Sequence, residues 1–141
     1  MLKRWSIENF KSFAGRTDIL LAPITVFAGA NSSGKSTIIQ SILLLKQTVQ
    51  YSPATRPMAL NGPLVKLGTF NDVKNAASDK KHIGIGWAID FEHSENIFNS
   101  SNWPGRDFYP VKFWTQFPSL GDGKLSVGDT GWCAGGGGGG I

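Results

Sequence analysis

The sequence predicts an α/β fold built around a phosphate-binding loop, and three observations in residues 24–51 lead to that prediction. Residues 29–36 match the pattern G-x-x-x-x-G-K-[ST] without a mismatch. Residues 24–28, which read Ile-Thr-Val-Phe-Ala, have the β-branched and aromatic composition of a buried strand. A helical run rich in isoleucine and leucine follows. Strand, glycine loop and helix occur in the order that a phosphate-binding loop requires.

The residue types of this loop suit the negative charge of a nucleotide's phosphates. Successive backbone N–H groups can form an anion-binding nest, and the N-terminus of the following helix adds further N–H groups and a positive dipole. Gly29 and Gly34 allow a close approach that a Cβ would hinder. Lys35 can reach the β- and γ-phosphates as a catalytic residue, and the Ser36 hydroxyl can bind Mg²⁺. A nucleoside triphosphate with Mg²⁺ is therefore the predicted ligand.

Two strands are predicted before the one that leads into the loop. In residues 2–10, Trp5 and Ile7 alternate with polar or charged residues, as in a half-buried strand. A turn signal at residues 14–15 precedes a second strand over residues 17–21, which Pro23 ends. Residues 24–28 are the third strand.

The helix is predicted to run from about residue 35 to about residue 50, because Pro53 cannot continue it. One face of this helix carries apolar residues at helical spacing, and we expect that face to be buried. Its members are Ile38, Ile39, Ile42, Leu45 and Val49.

Beyond the helix the sequence is mostly β in character. Residues 52–63 hold three prolines and one glycine and predict an irregular connection, and residues 64–70 predict a short strand. A longer strand is predicted over residues 82–92, followed by a polar loop over residues 94–105. The apolar face of the longer strand comprises Ile83, Ile85, Trp87, Ile89 and Phe91. Alternating Tyr109, Val111 and Phe113 predict a further strand.

Composition places the chain among soluble globular proteins. Its 141 residues are 40% apolar and 17% charged, and the longest apolar runs are too short to cross a bilayer. The N-terminus has no signal-peptide core. A single cysteine, Cys133, excludes an internal disulfide framework and suits the cytoplasm. His82 and His93 have no further ligand candidates at metal spacing, so no zinc site is predicted.

The net charge of +4 is unevenly distributed. Residues 1–75 hold nine Lys/Arg against three Asp/Glu, whereas residues 76–141 hold five against seven. A basic first half suits a polyanion such as a nucleotide or DNA. The basic residues are scattered, however, so a solvated surface explains the charge equally well.

Two segments resemble the ABC/SMC-like class of ATPases, which includes RecF-like and OLD-like proteins. Residues 7–13, Ile-Glu-Asn-Phe-Lys-Ser-Phe, are similar to the N-F-[KR]-[SC]-F segment near the start of these proteins. Residues 29–37 are similar to their G-x-N-G-x-G-K-S loop, with Ser32 in place of the usual glycine. Together with residues 60–72, the chain most resembles the stand-alone bacterial AAA-type ATPases of this class.

The resemblance implies a fold, a ligand and partners. The fold would be the N-terminal part of an ABC-type P-loop NTPase head, with a mixed sheet and an antiparallel β lobe over about residues 60–115. ATP and Mg²⁺ would be bound, and in the full-length form two heads would form a homodimer through ATP. A nuclease or toxin partner in anti-phage defence is implied, and DNA is a further candidate partner. The nucleotide-binding residues would be Lys11, Ser12, Gly29, Asn31, Ser32, Ser33, Gly34, Lys35, Ser36 and Thr37.

Several parts of a complete ATPase of this class are missing from the sequence. Hydrolysis needs a carboxylate pair at the end of an apolar strand, and Asp90 and Glu92 are only a weak candidate for it. Residues 124–128 resemble the signature motif loosely, and no Q-loop glutamine lies between Gln50 and Gln116. The sequence therefore predicts the front half of a head domain over residues 1–128. Residues 1–58 would carry the first strands, loop and helix, and residues 59–128 the β-rich lobe.

Residues 129–141 include six consecutive glycines, which favour a flexible linker or an artefact outside the fold. Other functions stay open. The chain could be a non-enzymatic nucleotide- or DNA-binding interaction module with a vestigial loop. A GTPase is less favoured because the guanine-reading N-K-x-D pattern is absent, and a small-molecule kinase because the sequence has only four arginines.

Overall fold

The computed structural model describes residues 1–51, 58–89, 111–121, 123–126, 128 and 130–134. The described residues form five strands and two helices. In chain order these are β1 (Leu2–Glu8), β2 (Thr17–Leu20), α1 (Lys35–Tyr51), α2 (Phe70–Val73), β3 (His82–Ile89), β4 (Val111–Pro118) and β5 (Thr130–Ala134). The predictions of β1, β2, α1, β3 and β4 are confirmed.

The five strands form one sheet in the order β2-β1-β3-β4-β5, and every pairing between them is antiparallel. The register brings Trp5 opposite Ile19 on one side and Trp87 on the other. Trp87 in turn lies opposite Phe113. The strands of residues 1–58 therefore share a single sheet with those of residues 59–128. The expected mixed sheet is not present in the described residues, because none of their strands pairs in parallel.

Helix α1 covers one face of this sheet. Trp5, Ile7, Ile83 and Ile85 point into the core and are buried, as their alternation along β1 and β3 predicts. The indole Nε1 of Trp5 donates a hydrogen bond of 2.8 Å to the Ser41 hydroxyl on α1. The ring of Trp5 stacks on that of Trp87, whose ring stacks on Phe113. The Trp5–Ser41 hydrogen bond joins the helix to the sheet, and the stacked rings join β1, β3 and β4 to one another.

The buried face of α1 differs from the predicted one. Ile38 is buried, and Ile42 and Leu45 pack partly against the core, but Ile39 is 50% exposed and Val49 is 77% exposed. The remaining buried residues of the helix are mostly polar: Thr37, Ser41, Leu44, Gln47 and Thr48. The spacing of apolar residues did not predict the buried face correctly, because polar side chains are also buried where hydrogen-bond partners are available.

Gln47 is the clearest case of such a buried polar side chain. It is fully buried, and its Nε2 donates to the carbonyl oxygens of Ala59 and Val65 at 2.6 and 3.2 Å. Its Oε1 accepts from the backbone N–H groups of Leu64 and Val65 at 2.8 and 3.0 Å. One side chain thus satisfies four backbone groups of the connection that follows the helix.

The predicted third strand, residues 24–28, is wrong. This segment has no regular strand structure, and Ile24 and Val26 are 85% and 81% exposed. The composition of a buried strand is present, but no neighbouring strand in the described residues pairs with it. A strand needs a neighbouring strand to form hydrogen bonds with its backbone N–H and C=O groups.

The predicted strand over residues 64–70 is also wrong. The segment is irregular, with an isolated bridge between Asn61 and Lys66, and the short helix α2 begins at Phe70. Val65, Leu67 and Phe70 are nevertheless buried in the core. The apolar pattern marked buried positions correctly but not the backbone conformation.

Strand β5 was not expected, because residues 129–141 were assigned to a tail outside the fold. Residues 130–134 instead pair with β4, from Thr115 opposite Thr130 to Val111 opposite Ala134. Residues 90–92, the loop 94–105, Tyr109 and the six glycines lie outside the described residues. Of the described helices, none is both long and apolar enough to cross a membrane.

Candidate functional site

The glycine-rich loop leads directly into α1, and Lys35 at the first helical position holds the loop together. Its Nζ donates to the backbone oxygen of Gly29 at 2.8 Å and also to that of Ala30. A third, longer hydrogen bond of 3.3 Å joins it to the Ser33 hydroxyl. The lysine therefore lies across the loop, with its ammonium group among the loop's own acceptors. A phosphate group would compete with these acceptors for the same ammonium group.

The backbone of the loop adopts the left-handed region at several residues. Gly29 has φ of 147° and Gly34 has φ of 95°. Ser32, which stands where the resemblance predicts glycine, has φ of 65°. This conformation favours glycine because a Cβ crowds the neighbouring carbonyl oxygen. The structure thus gives a physical reason for the usual glycine at this position, and Ser32 adopts the same conformation at a cost.

A tight turn between β1 and β2 lies against the loop. Phe10 and Phe13 exchange two backbone hydrogen bonds of 2.9 Å, which places Lys11 and Ser12 at the tip of the turn. A Cβ at Gly34 would lie 2.8 Å from the Ser12 hydroxyl oxygen and 3.0 Å from the Phe13 ring. Only glycine fits at this position without displacing the turn.

The turn and the loop together line an open pocket of about 350 Å³. Of the ten residues predicted to bind the nucleotide, nine line this pocket: Lys11, Ser12, Asn31, Ser32, Ser33, Gly34, Lys35, Ser36 and Thr37. The tenth, Gly29, contributes through its carbonyl group, which accepts from Lys35. The structure therefore brings the two sequence motifs to one place, although they lie about twenty residues apart along the chain. Nucleotide binding by these residues stays a prediction.

The pocket is electropositive. Two lysines, Lys11 and Lys35, line it, and the lining residues within the described ranges include no Asp or Glu. The first turn of α1 adds N–H groups that have no acceptor within the helix. Such a site attracts a polyanion. The carboxylate pair that hydrolysis requires is not among the described lining residues, and Asp90 and Glu92 lie outside the described part of the chain.

The residues at the helix start also fit a magnesium ion that a nucleotide brings with it. Mg²⁺ takes oxygen ligands, usually one or two from the protein and the rest from phosphate and water. The Ser36 hydroxyl lines the pocket and has no hydrogen-bond partner within the described residues. Across those same residues, no three His, Cys, Asp or Glu side chains form a group that could hold a metal by itself. The chemistry therefore fits a metal bound jointly with phosphate.

One contact at the pocket was missed by the sequence analysis. The Lys11 ammonium donates a hydrogen bond of 2.7 Å to Oε1 of Gln40, one turn along α1 from the loop. A second contact, of 3.5 Å, joins the Ser12 and Thr37 hydroxyl groups. The local sequence around Gln40 does not predict this contact, because Lys11 lies far away along the chain, in the turn between β1 and β2.

A glycine-rich loop at the start of a helix, a lysine across that loop and a sheet packed on the helix define a P-loop-like nucleotide-binding fold. The family model described as an AAA ATPase domain matches residues 1–107. The chain belongs to this family of AAA-type ATPases, for which ATP binding and hydrolysis are the general activity. No curated protein matches the chain significantly.

Proposed function

We propose that this chain binds ATP together with Mg²⁺ in the pocket between the β1–β2 turn and the glycine-rich loop. The observation that carries the proposal is the convergence of Lys11 and Lys35 on one pocket at the N-terminus of α1. A triphosphate needs several positive groups at short range, and the loop N–H groups, the helix dipole and the two lysines supply them.

Each lining residue has a role in this proposal. Lys35 would exchange its contacts with the Gly29 and Ala30 carbonyl oxygens for the β- and γ-phosphates. The hydroxyl of Ser36 would bind Mg²⁺. Lys11 and Ser12 would approach the nucleotide from the opposite wall, where Ser12 already contacts Thr37. The bound metal would neutralise phosphate charge and orient the γ-phosphate.

The proposal extends to the larger assembly in which this site would work. The motifs of residues 7–13 and 29–37 support an ABC/SMC-like head, of which α1 and the five-stranded sheet, including β5, would be an N-terminal part. The exposed side chains of Ile24 and Val26 support it as well, because a complete head would cover such a β-branched segment. Two heads would dimerise around ATP in the cytoplasm, in DNA maintenance or beside a nuclease or toxin in defence.

A second candidate function is binding without turnover. The described pocket lining has no carboxylate to activate water, so the chain by itself would hold ATP as a binding module. Hydrolysis and binding are separable by experiment. Under the proposal, the 141-residue chain binds ATP but turns it over far more slowly than complete ATPases do. Turnover at rates near those of complete ATPases would overturn this second candidate function.

Calorimetric titration of the chain with ATP and Mg²⁺ tests the binding. Lys35→Ala should lower the affinity by about tenfold or more, because it removes charge-assisted hydrogen bonds to phosphate. Lys46→Ala is the matched control, since Lys46 is an exposed lysine of the same helix and does not line the pocket. Equal ATP affinity of the wild-type chain and Lys35→Ala would overturn the proposal. Titration with GTP separates the ATPase from the GTPase interpretation, because the proposal predicts preference for ATP.

A further inference from the structure

The turn that carries Lys11 into the pocket has an unusual backbone. Asn9 and Lys11 have φ of 50° and 49°, a region that non-glycine residues rarely adopt. Asparagine is enriched in this left-handed region, but lysine has no intrinsic preference for it. The two backbone hydrogen bonds between Phe10 and Phe13 close this turn, and further contacts from outside the turn hold Lys11 in this conformation.

The first contact is made by Asn9, which is fully buried. Its Nδ2 donates to the carbonyl oxygens of Lys80 and His82 at 3.0 and 2.6 Å. Its Oδ1 accepts from the backbone N–H of Asn75 at 3.1 Å. The amide of Asn9 is thus satisfied on both of its ends. It ties the end of β1 to the segment between α2 and β3.

The second contact is made by Asn75, and it acts on Lys11 itself. The Nδ2 of Asn75 donates to the carbonyl oxygen of Lys11. The backbone N–H of Lys11 donates to the carbonyl oxygen of Val73 at 2.7 Å, and Val73 is fully buried. Both backbone polar groups of Lys11 are therefore held by residues 73–75. The Oδ1 of Asn75 also accepts from the N–H of Ala77 at 2.9 Å, which fixes its side chain.

The consequence concerns the lysine side chain. Lysine has a flexible four-carbon stem, so the direction in which its ammonium group can reach depends on the backbone that carries it. Here that backbone is held so that the Lys11 Nζ lies 2.7 Å from Oε1 of Gln40 on α1. Without the contacts to residues 73–75, the Phe10–Phe13 hydrogen bonds would still close the turn, but the backbone of Lys11 would be less restrained and its ammonium group would move away from this position.

We propose that Asn75, itself oriented by Asn9, is a positioning residue that directs Lys11 toward the phosphates of the bound nucleotide. The proposal rests on nucleotide binding at this pocket. Asn75 does not line the pocket and would not touch the nucleotide, so its effect on affinity passes through Lys11. Gln40 holds the Lys11 ammonium group until phosphate replaces it.

A double-mutant cycle on ATP affinity tests this inference. Calorimetry would compare wild type, Lys11→Ala, Asn75→Ala and the double variant. Asn75→Ala should weaken binding about fivefold, a change typical of losing one hydrogen-bonded arrangement. In the Lys11→Ala background the same change should have less than about a twofold effect, because the residue it positions is gone. Asn71→Ala, an exposed asparagine of α2, is the control.

The outcomes distinguish this inference from the proposed function. Failure of the wild-type chain to bind ATP would overturn both. If wild type binds and Asn75→Ala matches the Asn71→Ala control, the inference alone is wrong. An undiminished effect of Asn75→Ala in the Lys11→Ala background would also overturn it, since that result indicates a general structural role.

A second variant covers the case in which Asn75→Ala unfolds. Asn75→Asp can still accept from the N–H of Ala77 but cannot donate to Lys11. Asn71→Asp adds the same charge nearby and is its matched control. Weaker ATP binding by Asn75→Asp than by Asn71→Asp supports the inference. Equal binding by the two variants would contradict it.

Discussion

Helix α1 is packed against the sheet and the following connection on one side, whereas its opposite side is left open. On the packed side, Leu44 and Gln47 are fully buried, and Ser41 accepts a hydrogen bond from Trp5. On the open side, Ile39 and Val49 are largely exposed. The segment that precedes the glycine-rich loop belongs with the open side, since Ile24 and Val26 are more exposed than either.

This difference shows how the pocket is supported. The β1–β2 turn, the sheet and α1 fix the wall that carries Lys11, Ser12 and Thr37 through a continuous set of contacts. In the segment leading into the loop at Gly29, Phe27 packs partly against the core, whereas Ile24 and Val26 are exposed. Under the proposed function, a complete ATPase head would cover the apolar residues on the open side.

The largest effect is expected on the packed side, at Gln47. Gln47→Ala leaves the N–H groups of Leu64 and Val65 without their acceptor and opens a cavity, at a cost of about 4 kcal/mol in the free energy of unfolding. Gln50→Ala, an exposed glutamine of the same helix, should change it by less than about 0.5 kcal/mol. Urea denaturation measures both. Similar values for the two variants would mean that the connection after α1 does not depend on Gln47.

The second prediction compares apolar residues on the two sides. Leu44→Ala removes a fully buried side chain from between helix and sheet and should cost about 3 kcal/mol. Val49→Ala trims a side chain that is 77% exposed, so its effect should stay below about 0.5 kcal/mol. Thermal unfolding of the two variants gives the comparison. A large loss for Val49→Ala would show that the open side is covered in solution.

The smallest effect is expected in the loop. Ser32→Gly relieves the left-handed conformation at φ of 65° and should stabilise the chain by up to about 1 kcal/mol. Lys46→Gly, in the exposed interior of α1, should destabilise it by about 1 kcal/mol. The two glycine substitutions are thus predicted to have opposite signs in chemical denaturation. Destabilisation by Ser32→Gly would indicate that the Ser32 side chain makes a favourable contact that outweighs the strain.

The sequence predicted those parts of the fold that depend on local patterns. Alternation along β1 and β3 and the spacing of the loop motif lie within short segments, so these elements were identified correctly. Residues 24–28 and strand β5 were wrongly assigned because strand formation depends on a partner elsewhere in the chain. The same holds for Ser41 and Gln47, whose burial depends on distant hydrogen-bond partners.

In the candidate site too, local motifs predicted some features, whereas contacts with distant residues could not be predicted. The loop residues follow from their motif, and the resemblance implied that Lys11 and Ser12 lie near the nucleotide. The structure places both residues in the lining of the same pocket, and their binding to a nucleotide stays a prediction. The contacts that hold Lys11 could not be predicted. Gln40 and Asn75 are ordinary polar residues, and only the packing of the β1–β2 turn between α1 and the segment after α2 brings them to Lys11.

The proposed function depends on ATP binding in the pocket between the β1–β2 turn and the glycine-rich loop. Nitrogen–proton correlation NMR of the chain during titration with Mg²⁺ and a non-hydrolysable ATP analogue locates the bound nucleotide residue by residue. The largest backbone amide shifts should fall on residues 29–37 and on Lys11 and Ser12, with small changes on β4 and on the exposed end of α1. If residues 29–37 remain unshifted at a saturating concentration of the analogue, or if the shifts fall mainly on another surface, ATP does not bind in this pocket and the proposed function is wrong.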